Sequence, residues 1–144
     1  MGYWLVILIG VSGGIAVGIQ AQIAGAMGQQ VGGAASSFII HLSGTIMSGV
    51  FLFTRGGEKI QDWYTLPWYM LGAGVFGLIL YLSINITLPR LGSTTMITLI
   101  ISGQLLAGLV MDQFGLLGAS VRHIDATRVI GVVALLVGSY LIAK

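Results

Sequence analysis

The sequence predicts an all-α polytopic protein that crosses a membrane with five helices. Its mean hydropathy is +1.01, and only 7% of its 144 residues are charged, whereas a soluble globular domain carries roughly a quarter. Long segments have no charged residue at all, and an apolar helix of about 20 residues crosses a hydrocarbon core of about 30 Å. Six basic and four acidic residues could not solvate the surface of a 15.1 kDa globule.

The first two helices are predicted from an opening segment of 54 residues that contains no Asp, Glu, Lys or Arg. This segment is too long for one crossing and suits two, and the glycine-rich residues 28–33 favour a break between them. We therefore predict helices at about residues 3–27 and 34–53. A signal peptide cleaved near residues 24–26 is the alternative, but no basic residue precedes the apolar segment, and that segment is long.

The third and fourth helices are predicted on either side of Pro89. Aromatic residues typical of a membrane interface precede and begin the third helix, at about residues 67–88. Proline favours a helix boundary, and residues 91–111 again contain no charge, so the fourth helix is predicted at about residues 91–114. The interfacial residues are Trp63, Tyr64, Trp68 and Tyr69.

A fifth helix is predicted at about residues 126–143, and residues 1–144 are predicted to form one transmembrane domain. Five crossings place the two termini on opposite sides of the membrane. Four basic residues fall on the side of the membrane that holds the N-terminus and two on the opposite side, which favours a cytoplasmic N-terminus only by a small margin. Such a bias also fits dual topology, in which oppositely inserted copies pair into a 5+5 inverted repeat, and it equally fits a fixed orientation with a separate partner subunit. The four are Arg55, Lys59, Arg122 and Arg128, and the two are Arg90 and Lys144.

Small residues recur on faces where helices are expected to pack closely. Gly10, Gly14 and Gly18 are spaced four residues apart, and Ala21 and Gly25 continue the same face. This small-xxx-small pattern is typical of close helix contact in membranes. We expect helix packing at the first three glycines and also at Gly108, Gly131 and Gly138.

His41 is the only titratable residue near the centre of the second predicted helix. It shares a stripe about 60° wide with Ser37, Gly44 and Ser48. Because histidine changes its charge in the physiological pH range, His41 could bind substrate or couple proton movement to a conformational change. A neutral imidazole bonded to a neighbouring hydroxyl or carbonyl group is the alternative, since the sequence fixes no acidic partner nearby.

Four further polar side chains are expected to line a substrate cavity at membrane depth. An amide in lipid is costly unless it faces protein or trapped water, and this applies to Gln20 of the first helix and Gln104 of the fourth. Tyr81 and Asn85 share a face of the third helix and offer a ring and an amide to a ligand. For each of them, a hydrogen bond between helices is the alternative.

Asp112 lies about one turn from the end of the fourth predicted helix. It is either an interfacial anchor or a relay for protons or cations. We therefore place Asp112 beside His41 as a candidate for ion coupling.

Patterns of catalysis and cofactor binding are missing from the sequence. Cysteine is absent, which excludes thiolate chemistry and disulfides, and neither an HExxH motif nor a phosphate-binding loop occurs. His41 and His123 fall on a helix and a loop, so we expect no metal pair. No basic run points to nucleic acid, and we expect neither an enzyme nor a cofactor.

Three segments carry a resemblance to a known family: residues 91–115, residues 68–77 and residues 128–138. Together with the spacing of the five predicted helices, they resemble the YdcZ-like family. Its members are half-size, five-helix bacterial inner-membrane proteins of the drug/metabolite transporter superfamily. The stretch from Gln104 to Gly115 is the most specific part of the resemblance.

The resemblance implies an exporter-like fold in the bacterial inner membrane. Ten-helix members of the superfamily are similar to two such halves joined in inverted orientation, which implies an antiparallel homodimer or a heterodimer with a sister chain. Small multidrug exporters of the superfamily rely on a glutamate in their first helix, where this sequence has only Gln20 and Gln22. That departure leaves His41 or Asp112 as possible substitutes.

From these observations we expect a secondary transporter that exports a small organic molecule by alternating access, as a dimer in the bilayer. A non-transporting membrane assembly or accessory subunit is the alternative, in which the polar residues only hold helices together. The residues expected to line the substrate cavity are Gln20, His41, Tyr81, Asn85 and Gln104.

Overall fold

The computed structural model describes residues 2–144, and all regular secondary structure within them is helical. The all-α prediction is therefore confirmed. The helices are α1 (Tyr3–Val31), α2 (Gly33–Arg55), α3 (Trp68–Leu71), α4 (Gly74–Phe114) and α5 (Ala126–Ala143), with 3-10 turns at Ile60–Thr65 and Leu116–Gly118.

Four helical segments of the described chain are long and apolar enough to cross a membrane, as expected of a membrane protein. The predicted count of five is not confirmed, because the third and fourth predicted helices form one segment, Trp68–Phe114, of 47 residues. Pro89 lies inside α4, and the backbone leaves helical geometry only at Gly92, with φ 75° and ψ 166°. Glycine adopts such a positive φ far more easily than other residues, so the break falls at the glycine instead of the proline.

α1 and α2 are joined by a single non-helical residue, Gly32. α1 continues to Val31 instead of ending near residue 27, and α2 begins at Gly33. The φ of Gly32 is 90°, which a residue with a side chain rarely adopts. The rest of the predicted loop stays helical because it packs against α4, and such packing overrides the low helix propensity of glycine.

The chain divides into two compact units, Met1–Pro89 and Arg90–Lys144. The first unit contains α1, α2, α3 and the beginning of α4. The second contains the remainder of α4 and all of α5. The organisation of the chain as one transmembrane domain stays a prediction.

In the first unit, residues 25–29 of α1 pack closely on residues 85–88 of α4, and we call this the α1–α4 contact. Ala24 is 0% exposed and Ile84 is 1% exposed. A Cβ atom added to Gly25 would overlap the Leu88 side chain, and one added to Gly28 would overlap the Asn85 amide. Helices in lipid associate largely through van der Waals packing, so this close approach holds the unit together.

A buried hydroxyl group joins α2 to α1. Ser36 is 0% exposed, and its Oγ donates to the carbonyl oxygen of Ala24 over 2.8 Å. A buried hydroxyl group is costly without a partner. This bond therefore fixes how far α2 can slide or turn along α1.

Pro89 creates a further polar contact between α1 and α4. Proline has no N–H group, so the carbonyl of Asn85, four residues earlier, loses its helical donor. Gln29 of α1 replaces that donor, since its Nε2 donates to the Asn85 carbonyl oxygen over 3.2 Å. A backbone carbonyl that loses its helical donor is unfavourable unless another group replaces that donor. Gln29 therefore compensates for Pro89.

In the second unit, two serines join α4 to α5. The hydroxyl oxygens of Ser102 and Ser139 are 2.9 Å apart, and both residues are buried. Each Oγ also lies 2.8 Å from the carbonyl oxygen four residues earlier in its own helix. A hydroxyl group has one hydrogen, so one serine donates between the helices while the other donates within its own helix.

We expect Gln29→Leu to lower the free energy of unfolding by about 1 kcal/mol, because the Asn85 carbonyl loses its donor. In a Pro89→Ala background, the backbone N–H at position 89 restores a donor, and the same substitution should cost much less. A double-mutant cycle in detergent-solubilised protein measures the difference. Gln30→Leu, at the next position of α1, is the control.

Equal costs of Gln29→Leu in the two backgrounds would contradict compensation. In that case the contribution of Gln29 would not depend on the missing N–H of Pro89.

Candidate functional site

The first unit contains an open cavity of about 530 Å³, which we call the histidine groove. Its polar lining comes from three helices: α1 supplies Gln20, α2 supplies His41, and α4 supplies Tyr81. Thr45 and Ser48 of α2 complete the polar lining. The structure thus brings together three of the five residues that the sequence predicts for a substrate cavity.

His41 is held by its own helix and by Tyr81. Its Nδ1 lies 2.7 Å from the carbonyl oxygen of Ser37, which can only accept, so Nδ1 carries the proton and Nε2 is the acceptor of the neutral ring. The Ser37 hydroxyl lies 3.3 Å from the same Nδ1. The Tyr81 ring meets the imidazole edge to face, with centroids 5.4 Å apart and planes at 87°. These contacts fix both the orientation and the tautomer of the ring.

Gly77 of α4 provides space for the imidazole. A Cβ atom at that position would lie 2.5 Å from Nε2 of His41, which is too close for any side chain to be accepted without movement of the ring. Nε2 has no hydrogen-bond partner in the described part of the chain. It is therefore the ring nitrogen that remains available to a ligand or a proton.

Asn85 does not line the histidine groove. It lies in the α1–α4 contact, where its Nδ2 donates to the carbonyl oxygen of Tyr81 over 2.7 Å. Its Oδ1 is buried without a hydrogen-bond partner among residues 2–144 and lies against Gly28. The structure thus places Asn85 behind Tyr81, where it supports the backbone that carries the ring.

The second unit contains another open cavity, of about 550 Å³, which we call the ion-pair groove. α4 contributes Gln104, Gly108 and Asp112, and α5 contributes Arg128 and Gly131. Within each helix these residues are three or four positions apart and so share one face. The remaining lining is leucine and valine. The groove is therefore apolar along its walls, with opposite charges at one end.

Asp112 and Arg128 form the ion pair. Oδ2 of Asp112 lies 3.3 Å from Nη1 of Arg128, and the two side chains are 37% and 29% exposed, respectively. The same Nη1 also donates to the carbonyl oxygen of Arg122 over 3.3 Å. The predicted anchor or relay at Asp112 therefore has a basic partner.

The loop between α4 and α5 is tied to both helices. Asp125 caps α5, and its Oδ1 accepts from the backbone N–H of Arg128 over 2.8 Å. At the other end of the loop, the backbone N–H of Arg122 donates to the carbonyl oxygen of Asp112 over 2.8 Å. These bonds set the separation between the aspartate and the arginine of the ion pair.

Most glycines predicted to pack helices are open in the single chain. A Cβ atom added at five of them would meet no heavy atom within 4 Å, and Gly18 is half-buried. On the predicted face of α1, Gly25 does approach another helix closely, and further close approaches occur at Gly28 and Gly77. Packing at the open positions stays a prediction for contacts with another chain. The open positions are Gly10, Gly14, Gly108, Gly131 and Gly138.

Two polar groove residues were missed by sequence reasoning. Thr45 stands four residues after His41, which places both on one helix face, so the pattern could have revealed it. Arg128 gave no such signal, because its partner Asp112 is 16 residues away across a loop.

Neither groove resembles a metal centre. Within the described residues, no three of His, Cys, Asp and Glu lie close enough to hold a metal ion together. The grooves present amide, imidazole, phenol and hydroxyl groups together with one ion pair. This chemistry suits an organic molecule that is bound through hydrogen bonds and a single charge.

Comparison with known proteins identifies the family of the chain. A family model described as "Putative inner membrane exporter, YdcZ" matches residues 5–141. The match extends from near the beginning of α1 to near the end of α5 and confirms the resemblance. No curated protein and no solved structure matches the chain.

We expect Gly77→Ala to displace the His41 ring, because the added methyl group would lie 2.5 Å from Nε2. Gly74→Ala, three residues earlier on α4, meets no heavy atom within 4 Å and is the matched control. Nitrogen NMR signals of isotope-labelled His41 should shift in the first variant only. An unchanged His41 signal in Gly77→Ala would place the ring away from α4.

Proposed function

The chain belongs to the YdcZ family of inner membrane exporters, and on that premise we propose that it is a secondary transporter that exports a small organic molecule. It works as a dimer, in which one half rocks against the other around a central cavity and exposes that cavity to each side in turn. The membrane setting is supported by the four long apolar helices and by the family.

Two unpaired amides carry this proposal. The side chains of Gln20 and Gln104 have no hydrogen-bond partner among residues 2–144, and each lines one of the two grooves. An amide without a partner at membrane depth is costly, and neither amide forms a hydrogen bond between helices within residues 2–144. A substrate with hydrogen-bonding groups would supply the missing partners.

In the proposed site, Gln20, His41 and Tyr81 bind the substrate in the histidine groove. Gln20 offers donors and an acceptor, while Nε2 of His41 offers an acceptor. Gln104 is proposed to bind substrate separately, in the ion-pair groove of the second unit. Asn85 acts from behind Tyr81, through the bond of its Nδ2 to the Tyr81 carbonyl oxygen.

Two residues are candidates for coupling transport to protons or other ions. The unbonded Nε2 of His41 is available to take up a proton, and histidine is the side chain suited to do so near neutral pH. Asp112 is the acidic candidate, with Arg128 as its partner in the resting state.

The length of α4 supports the proposal that it crosses the membrane twice. It has 41 residues, which correspond to about 60 Å at 1.5 Å per residue, or twice a hydrocarbon core of about 30 Å. The positive φ at Gly92 and the nearby Pro89 mark the place where the two crossings would meet. The protein would then have five crossings, as the sequence predicts.

An odd number of crossings suits the pairing of oppositely oriented chains into a 5+5 inverted repeat. The partner would be a second copy, giving an antiparallel homodimer, or a sister chain. The open glycines, among them Gly14 and Gly131, would let another helix approach closely.

A non-transporting assembly or accessory subunit is the second candidate function. The bond between Ser102 and Ser139 favours it, because it shows that buried polar groups of this chain do join helices. In that case Gln20 and Gln104 would bond to a partner chain instead of a substrate.

We expect a screen of metabolites and drugs to find a compound that raises the melting temperature of the purified protein. The shift should be lost in Gln20→Leu or Gln104→Leu, because leucine is similar in size and lacks the amide. Gln30→Leu, at the exposed end of α1, is the control and should keep the shift. The accessory function is favoured if no compound stabilises the wild-type protein.

Single cysteines test the crossings, because the chain has none of its own. We would place them at Gln61, Leu91 and Ser120, which leaves every charge unchanged, and label cells with a membrane-impermeant maleimide before and after permeabilisation. Within any one orientation, five crossings require Gln61→Cys and Ser120→Cys to face one side and Leu91→Cys to face the other.

The labelled fraction also reports on pairing. Partial labelling from outside at all three sites, with roughly half of the molecules in each orientation, is expected for an antiparallel homodimer. Labelling that is complete at some sites and absent at others fixes one orientation and contradicts that dimer. A single side for all three cysteines contradicts two crossings by α4.

A further inference from the structure

We propose that the ion-pair groove binds a small organic anion together with one proton. The anion takes the place of Asp112 at the guanidinium group of Arg128, and the proton neutralises the Asp112 carboxylate. This inference rests on the proposed transport function and names its class of substrate: a monoanion, such as a carboxylate, with an apolar body.

Arg128 has bonding capacity left for an anion. A guanidinium group carries five N–H donors in a planar fork that matches the two oxygens of a carboxylate. The contacts of its side chain with Asp112 and with Arg122 both use Nη1. Its Nε and Nη2 have no partner among residues 2–144, so a second carboxylate could bind in the bidentate arrangement that Asp112 does not make.

The existing ion pair is open to competition. The single contact between Asp112 and Arg128 measures 3.3 Å, whereas charge-assisted bonds of this kind are usually about 2.7–2.9 Å long. Both side chains are partly exposed in an open groove. An anion that makes two shorter bonds to Arg128 could therefore displace Asp112.

The chemistry of the two partners decides which charge a ligand must carry. Asp112 can be neutralised by a proton, but an arginine in a protein stays charged. A cationic ligand on Asp112 would leave Arg128 without a counterion in a mostly apolar groove, which is costly. An anion on Arg128 leaves only Asp112 without a counterion, and one proton neutralises the Asp112 carboxylate. The groove then has no net charge before or after binding.

The neighbouring charged groups do not offer an alternative partner. The carboxylate of Asp125 is held as the cap of α5 by the backbone N–H of Arg128. Arg122 meets Asp112 through its backbone N–H, and His123 lies in the same loop, 3.5 Å from a glutamine of α4. The lining of the groove has no charged residue besides the pair. The proton that accompanies the anion is thus assigned to Asp112.

The remainder of the groove suits an apolar body. Its walls are leucine and valine, and Gly108 and Gly131 widen it because neither carries a side chain. Gln104 lies eight residues from Asp112 along α4, or about 12 Å at 1.5 Å per residue. Its unpaired amide would receive a polar group at the far end of a longer substrate.

The test is equilibrium binding of phenylpropionate to the purified full-length protein in detergent. The neutral amide and the cationic amine of the same skeleton are the ligand controls. From about pH 8 to about pH 6, where the probe stays ionised, the wild-type affinity should rise as the pH falls, by up to about tenfold per pH unit, because one proton enters with each anion. The amide and the amine should show no such rise.

Three variants separate the roles of the two residues. Asp112→Asn should bind the anion about tenfold or more tightly at about pH 8 and lose the pH dependence, since a neutral amide no longer competes for Arg128. Arg128→Gln should weaken binding by about tenfold or more at each pH, and Arg128→Lys should restore part of it. Lys144→Gln removes a distant cation and should behave as wild type.

Binding that does not depend on pH in the wild-type protein, or a full pH dependence in Asp112→Asn, would overturn the inference. Equal binding of the amine would do the same. The assay requires no transport, so the two proposals fail separately. If another compound stabilises the protein but the anion does not bind, only this site is wrong. If the anion binds as expected but no compound, the anion included, crosses a proteoliposome membrane, the transport function is wrong and the site remains.

Discussion

A polar group in lipid must find its hydrogen-bond partner within protein, because the hydrocarbon core holds no water. The first unit depends on this constraint. The Ser36 hydroxyl bonds to a carbonyl of α1, and the carbonyl left free by Pro89 is taken by Gln29. These bonds require the helices to lie close together, which the small side chains at Ala24 and Gly28 permit. Packing and hydrogen bonding thus stabilise the same contacts.

The same constraint separates polar groups that are bonded within the chain from polar groups that are not. The hydroxyls of Ser36, Ser102 and Ser139 are buried, and their hydrogen bonds are made within the chain. Gln20 and Gln104 are as polar, yet they line open grooves without a partner among residues 2–144. The two grooves also differ from each other, because one presents an imidazole with amide, phenol and hydroxyl groups and the other an opposed pair of charges.

Much of the fold and part of the site could be predicted from the sequence. Segments without charge reveal membrane helices, and the cost of polar groups in lipid is enough by itself to single out Gln20 and His41. Glycine spacing was less informative, because it does not say which helix a face will meet. On the predicted face of α1 a close contact falls at Gly25, whereas Gly10 and Gly14 are open. The kink in α4 falls at Gly92, close to the boundary predicted between residues 88 and 91, and Pro89 itself remains inside the helix with its free carbonyl taken by Gln29.

The polar pairs that complete the structure could not be predicted. Gln29 and the Asn85 carbonyl are separated by 56 residues, and Asp112 and Arg128 by 16. Helical periodicity describes one helix at a time, whereas these contacts depend on how two helices lie against each other. Only the three-dimensional arrangement shows that each of these polar groups has a partner.

The one-residue joint at Gly32 has a consequence for how this protein can vary. A residue inserted there or deleted would change how α2 lies against α1, and the Ser36 hydroxyl would be displaced from its carbonyl. Substitutions along the two helices are a milder change, because they leave the length of the joint intact. Related sequences should therefore differ in composition around this joint while keeping its length, and an alignment gap there would signal a different pairing of the two helices.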